Sequence, residues 1–539
     1  MAKIAFKSDN QGQIQLLPPS LDELIPATHP VRVLNSIVDR LDVSQVLASY
    51  KGGGNSCFHP RMMLKVLIYA YLNNIYSSRK IERQLQEHLH YMWLSGGARP
   101  DFRTINYFRG KRLKDSFDGI FTQVVELLHS EGFVSLEVQY IDGTKIESAS
   151  NKYTFVWRGS IETYDTRLRE KTRRILSEAE EVLEMESHET RPDEELSVEE
   201  FQARTSRIKE KMNSTDVPKK IKKAVEKTAK EYIPKMLEYE RALDIMGKRN
   251  SYSKTDEDAT FMRMKEDAMK NGQLKPGYNI QIATENQFIT NYAVYHRPTD
   301  TLTLIPFLES FEKRYGRQSR VVVADSGYGS EQNYEYLFGP NLIPYVKYNM
   351  FHQEQKRKYK KNAFLVQNLF YNPKGNYYVC PMGQYLFFIR EEKRKSDAGY
   401  ISQVSIYRAA KCLGCPVRGL CNKAMGNRQI EVNHTLNRYK EKIRYMLNSE
   451  EWIFHRKKRP VEPEAVFADI KEAGKFRRFR LRGINGVGIE FGLKAIAHNI
   501  KKIAACRGKY GFGWDNLQKV ISNYAKNPFL KHEGSLRVA

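Results

Sequence analysis

Val321-Val322-Val323-Ala324-Asp325-Ser326-Gly327 is the stretch on which the fold turns. A short apolar run of this kind is the signature of a buried strand. It stops at an acidic residue followed by two small ones. A second stretch ends the same way: residues 134–141 (VSLEVQYI) run into Asp142-Gly143-Thr144. An acidic residue at the carboxyl end of a buried strand, followed by small residues, is poised at a cleft. The glycines let backbone and bound ions approach closely. If the two strands are neighbours, their carboxylates share a site, and like charges that close repel unless a cation neutralises them.

Mg²⁺ takes oxygen ligands and keeps waters, so it suits paired aspartates, and Mn²⁺ can stand in for it. Two such ions about 4 Å apart activate a water or a 3′-hydroxyl and stabilise the leaving oxygen of a phosphodiester. Holding the second ion calls for a third carboxylate. The best candidate is Glu464 in Pro463-Glu464-Ala465-Val466-Phe467-Ala468-Asp469-Ile470-Lys471, with Glu462 and Glu490 as rivals. Glu464 and Lys471 are two helical turns apart on nearly one face, so the Glu suits a metal and the Lys a DNA phosphate. Arg456, Lys457, Lys458, Arg459, Lys475, Arg477, Arg478, Arg480 and Arg482 surround them as a dense basic patch. Acid beside so much base is what a metal site gripping a phosphate backbone requires.

The flanking pattern orders these pieces. Residues 1–128 read as helical and as a DNA-binding domain: Leu34, Ile37, Val38 and Leu41 repeat at helical spacing after Pro30, Pro60 opens an apolar helix through Leu72, and Arg79 to Leu94 is amphipathic. Lys51-Gly52-Gly53-Gly54-Asn55 breaks the pattern, and residues 104–112 (TINYFRGKR) join aromatics to basic residues. A first core segment, 129–159, holds Asp142. A charged helical insertion, 160–255, interrupted near Arg191-Pro192, suits a helical hairpin or coiled coil. A second core segment, 256–349, has strands at 278–284 and 288–295, a helix from Thr301 to Tyr315, the Asp325 strand, and a strand from Leu342 to Lys347. A second insertion, 350–450, carries four cysteines. Residues 451–510 supply the Glu464 helix and an apolar helix from Ile489 to Ala504, and 511–539 form a basic tail. Strand-Asp, strands, helix, strand-Asp, strand, helix-Glu is the layout of a ribonuclease-H-like mixed α/β core, here with two insertions and a helical N-terminal domain.

Composition points the same way. Of 539 residues, 88 are Lys or Arg and 63 Asp or Glu, a formal charge of +25 that implies a polyanionic partner, of which nucleic acid is the commonest. No window approaches the roughly 18 apolar residues of a membrane span, and Met1 to Gln15 lacks a signal-peptide core, so a cytoplasmic location at the nucleoid is expected. Six cysteines make no disulfide framework. Cys380, Cys412, Cys415 and Cys421 contain one Cys-x₂-Cys and suit either structural Zn²⁺ or reduced core thiols. Cys57 and Cys506 stand alone, and His59 suits a surface or helix-capping role. No Gly-x₄-Gly-Lys-Ser/Thr loop is present, so ATP is not implicated.

The chain resembles the DDE transposases of bacterial insertion sequences, in the group whose Glu helix carries a Tyr-Arg-Glu-Lys signature. The resemblance runs through HPRMMLKVLIYAYLNNIYSSRKIE and FRTINYFR, then IDGTKIESASNKYTFVW around Asp142, KPGYNIQIAT, VVADSGYGS around Asp325, and PEAVFADIK with FRRFRLRG and IAHNIKK near the end. It implies Asp142, Asp325 and Glu464 as the catalytic, metal-binding triad. It also implies double-stranded DNA as partner, the terminal inverted repeats as the bound sites, and a homodimer as the active form. Glu464 and Lys471 match the Glu–Lys half of the signature. The Arg half departs: its usual position is Pro460 here, with Arg459 or Arg456 as substitutes, and Phe454 is the nearest aromatic to the missing Tyr. A ribonuclease-H-like nuclease that only cuts, and a DNA-binding protein without catalysis, are the alternative readings.

Overall fold

The computed structural model describes residues 18–50, 53, 56–185, 196–265, 272–339, 342–396 and 399–510. The polar start, the glycine break apart from Gly53, the Arg191-Pro192 interruption and the basic tail lie outside the described residues.

The chain is mixed α/β, with a helical N-terminal region and a mixed sheet. The sheet has six strands: β1 (Val138–Glu147), β2 (Thr260–Arg263), β3 (Leu274–Glu285), β4 (Phe288–Tyr295), β5 (Val321–Ala324) and β6 (Ile343–Val346). β3 lies antiparallel to β1, and its other edge carries β2 beside residues 274–277 and β4 beside residues 279–285. β5 runs parallel to β1, and β6 parallel to β5. Parallel neighbours need crossovers. Helix Glu331–Phe338 joins β5 to β6, and helix Leu304–Tyr315 leads from β4 to β5. Leu304, Phe307 and Leu308 of that second helix pack on Val322 and Val323. The buried run at Val322, Val323 and Ala324 is therefore covered on both faces, as its lack of alternation requires.

The strand read as ending at Asp142 continues to Glu147. Its pairing with β5 stops at Tyr140↔Val323, whereas its pairing with β3 persists to Glu147↔Gly277. Asp142 thus stands where β1 loses one neighbour and keeps the other.

Helices Pro30–Asp39 and Pro60–Leu72 start at the prolines. His59 caps the second, its Nδ1 accepting from the Arg61 amide at 3.2 Å. The amphipathic stretch from Arg79 is two helices, Ser78–Glu87 and Leu89–Ser95, because His88 between them is extended. Helix Gly483–Tyr510 is apolar almost all round and packs against helix Pro60–Leu72 and β4. One continuous apolar cluster runs from Leu64 and Leu67 through Phe491 and Ile496 to Ile280 and Ile282.

Among the described residues the first insertion is more than a hairpin: helices Arg158–Val182 and Val198–Ser214 are followed by Lys219–Lys227 and Ile233–Met246, joined without a break by a π turn at Thr228–Tyr232. Leu176, Phe201, Ile208, Val225 and Met236 give it an apolar cluster of its own, and a charged two-helix hairpin would have left those side chains in water. The second insertion forms a five-stranded antiparallel sheet between Phe370 and Val432. Helix His434–Leu447 then returns to the first sheet, with Ile443 and Leu447 in the cluster of Val322 and Val323.

Candidate active site

Three stretches of chain distant in sequence converge just past the last parallel pair of β1 and β5. Asp142 and Asp325 each stand two residues past the last parallel pair, Tyr140↔Val323, so the register sets them level on adjacent strands. The third stretch follows helix Glu450–Lys458. It makes a 3₁₀ turn at Arg459–Val461 and then the expected helix, α over Pro463–Ala468 and widened to a π turn over Asp469–Ala473. The wide turn directs Asp469 at His498 (3.0 Å) and Lys501 (2.7 Å) of the long helix, and Lys471 at β1.

The guanidinium of Arg459 lies among all three carboxylates. Nη1 is 2.9 Å from Glu464 Oε1, and Nη2 is 3.6 Å from both Asp142 Oδ1 and Asp325 Oδ2. The Arg459 side chain is 10% exposed, while those of Asp325 and Glu464 are 48% and 50% exposed and face the cleft. Asp142 is the most enclosed of the three. Burial pushes its carboxyl up to about 6, against the opposing pull of Arg459 and of the Gly143 amide, which donates to Oδ1 at 2.9 Å. Lys347, just past β6, lies beside Asp325 and Glu464; burial lowers its pKa.

The rival acids do other work. Glu462 is 3% exposed and accepts from the Gln287 amide at 2.8 Å. Glu490 is fully buried and accepts from the Arg480 and Leu481 amides, both at 2.8 Å. Of the three glutamates considered, Glu464 is the one beside the two aspartates. Asp300, which the sequence reading did not single out, sits behind them. It accepts from Asn279 Nδ2 at 2.7 Å and Gln281 Nε2 at 2.8 Å. A Cβ on Gly143 would meet that Gln281 nitrogen at 2.3 Å and Asp300 Oδ1 at 2.7 Å. The glycine after Asp142 therefore admits two protein side chains.

The basic residues divide. Arg456, Lys457, Lys475, Arg480 and Arg482 are exposed, and Arg477 pairs with Glu472 at the surface. Lys458 lies 5.0 Å over the ring of Phe454. Lys471, expected at a DNA phosphate, donates to Thr144 Oγ1 at 2.5 Å and to the Lys145 carbonyl at 2.9 Å. Burial lowers its pKa to about 8. Arg478 donates to the Ser148 and Ser150 carbonyls at 3.0 and 2.8 Å. Arg459, also expected on DNA, is the counter-ion of the acids.

Among the described residues no group of three or more His, Cys, Asp or Glu side chains is arranged to hold a metal ion as it stands. For Cys380, Cys412, Cys415 and Cys421 this departs from the zinc expectation. The Arg428 amide donates to Cys412 Sγ at 3.3 Å, and its guanidinium donates to Cys421 Sγ at 3.1 Å. None of the six cysteines forms a disulfide. At the carboxylates, Arg459 is the gathering cation. Three anionic oxygen donors converging on one cationic position are nonetheless the donor chemistry of a hard divalent ion.

Residues 379–504 match the family model of a transposase DDE domain, and residues 19–111 that of a transposase domain (DUF772). The first match contains Glu464, and Asp142 and Asp325 precede it. No curated protein and no solved structure matches the chain. Among the described residues no helix is long and apolar enough to cross a membrane.

Proposed function

On the premise that the chain is a DDE-type insertion-sequence transposase, which its two family matches indicate, we propose that it cuts the ends of its own element and joins them to target DNA at Asp142, Asp325 and Glu464. The observation that carries this reading is the convergence of those three acids on Arg459. The strand order β4-β3-β1-β5-β6, with Asp142 and Asp325 just past the last parallel pair of β1 and β5, supports a ribonuclease-H-like core.

Asp142, Asp325 and Glu464 would hold divalent ions, Mg²⁺ or Mn²⁺. When bound, such ions supply charge neutralisation and activation of a water or 3′-hydroxyl at the phosphodiester. Arg459 holds the carboxylates gathered until then, and once displaced from them it is a cation beside a phosphate. Lys471 fixes the Glu464 segment to β1 and thereby sets Glu464 against Asp142. Lys475, Arg480 and Arg482 line an exposed path for the DNA backbone. The chain acts on double-stranded DNA as a homodimer holding two inverted repeats.

The test is cleavage and strand transfer on a labelled element end with Mg²⁺ or EDTA. Metal-dependent nicking and joining by the wild type, lost by a factor on the order of 10³ or more in Asp142→Asn, Asp325→Asn and Glu464→Gln with end binding retained, is the expected result. Cutting without joining would leave a nuclease; binding without cutting would leave a non-catalytic DNA-binding protein.

A further inference from the structure

A pocket of about 590 Å³ opens where the N-terminal helices meet the basic turn that follows Lys471. Its walls carry Arg79, Arg103, Arg109, Lys111 and Arg480, and no carboxylate. Four of these come from residues 79–111, and Arg480 comes from the turn beyond the candidate active-site helix. Arg79, Arg103, Lys111 and Arg480 are exposed and, among the described residues, make no ion pair. Cations concentrated without counter-charge repel one another, so the arrangement is built for an anion.

The fifth cation is anchored. Arg109 is 2% exposed, and its guanidinium donates to Tyr71 Oη and the Tyr76 carbonyl, both at 2.9 Å, and to Asn106 Oδ1 at 3.2 Å. Its Nε is buried without a partner. Its charge is balanced in the core by Glu490, so the uncompensated positive field of this wall comes from Arg79, Arg103, Lys111 and Arg480.

The pocket is also aromatic. Phe102 has the guanidinium groups of Arg79 and Arg103 at 4.8 and 5.7 Å from its ring centre. Tyr107 is 55% exposed, with the Arg112 guanidinium 5.4 Å from its ring centre. The volume lies in the range of about 300–1,000 Å³ typical of pockets that enclose a whole small molecule rather than a bare phosphate. Rings and guanidinium planes between cations are the surface on which nucleic-acid bases stack.

We infer that this pocket takes one unpaired nucleotide of the bound DNA, its phosphates on the arginines and its base against Tyr107. The inference rests on the reading of the chain as a DNA-cutting enzyme and names a contact outside the carboxylate site. A paired base inside a duplex offers no free face, so the occupant is a nucleotide swung out of the stack.

The full chain is titrated at physiological salt against two labelled duplexes of one sequence, one fully paired and one carrying a single unpaired adenine. The wild type is expected to bind the second on the order of tenfold more tightly. Tyr107→Ala removes that preference and leaves binding of the paired duplex unchanged, and Tyr107→Phe keeps it. The double variant Arg79→Ala/Arg480→Ala weakens binding of both duplexes. Equal wild-type affinities, a preference that survives Tyr107→Ala, or binding untouched by the double variant overturns the inference and leaves the cleavage reading standing. Failure to bind either duplex overturns both.

Discussion

Tyr140 and Val323 are the last residues of β1 and β5 to face each other, and each stands two residues before an aspartate. The parallel register alone thus sets Asp142 beside Asp325. Past that pair the strands part, and the gap is filled by the guanidinium of Arg459, which also holds Glu464.

Arg459 therefore competes with any divalent ion for the same oxygens. Removing Arg459 leaves three converging carboxylates without their counter-charge, two of them half-exposed, at a cost on the order of 1 kcal/mol. Arg459→Ala is expected to melt at lower temperature than the wild type in EDTA. Added Mg²⁺ should raise its melting temperature more than that of the wild type. Thermal melts with and without Mg²⁺ check this; equal Mg²⁺ shifts in the two proteins would mean that Arg459 does not occupy the ion position.

Glu490 and Glu462 should betray structural roles through stability. Glu490 accepts from two backbone amides and is the buried counter-charge of Arg109. Glu490→Ala strands those donors and that cation, so a loss of about 2–4 kcal/mol is expected in denaturant melts. Glu462→Ala strands the Gln287 amide and should cost about 1–3 kcal/mol. Either variant, where folded, should still cut; a stable, uncut-DNA phenotype in Glu462→Ala would move the third ligand there.

Acid sensitivity should trace to Asp469. The hydrogen bond from His498, with Lys501 adding to it, holds its carboxyl well below the usual carboxylate range. A carboxylate whose folded pKa is depressed contributes stability above its unfolded pKa, near 3.9, and loses it as pH falls toward the folded value. Wild-type stability should accordingly fall below about pH 4. Asp469→Asn should be less stable at neutral pH by about 1–2 kcal/mol and show a flatter acid limb. Urea melts from pH 3 to 7 would detect it; parallel curves for the two proteins would exclude Asp469 as the cause.

Lys471 separates positioning from phosphate contact. Its ammonium is spent on Thr144 and Lys145. Lys471→Ala should slow cleavage about 10- to 100-fold, as a displaced Glu464 would, without changing the salt dependence of DNA binding. Lys475→Ala and Arg482→Ala should each lower the slope of log affinity against log salt by about 1. A matching fall of the slope in Lys471→Ala would place that amine on the DNA.

Much of this molecule is determined by its sequence alone. The unalternating run at Val322–Ala324, the prolines that open helices at 30 and 60, and the long apolar helix near the end are local patterns. Local patterns follow from backbone sterics and burial within a few residues. The two aspartates, each followed by small residues after an apolar run, were legible for the same reason; that β1 continues past Asp142 to Glu147 was not. Only the tertiary structure separates Glu464, beside the two aspartates, from Glu462 and Glu490, because the difference lies in which side chain meets the cleft and which meets backbone amides far along the chain. It also turned Arg459 inward to the carboxylates, committed Lys471 to β1, brought Asp300 behind Gly143, and joined Arg480 to the pocket beside Tyr107. Each of these joins groups distant in sequence, and such pairings are set by packing between elements, which periodicity within an element does not encode.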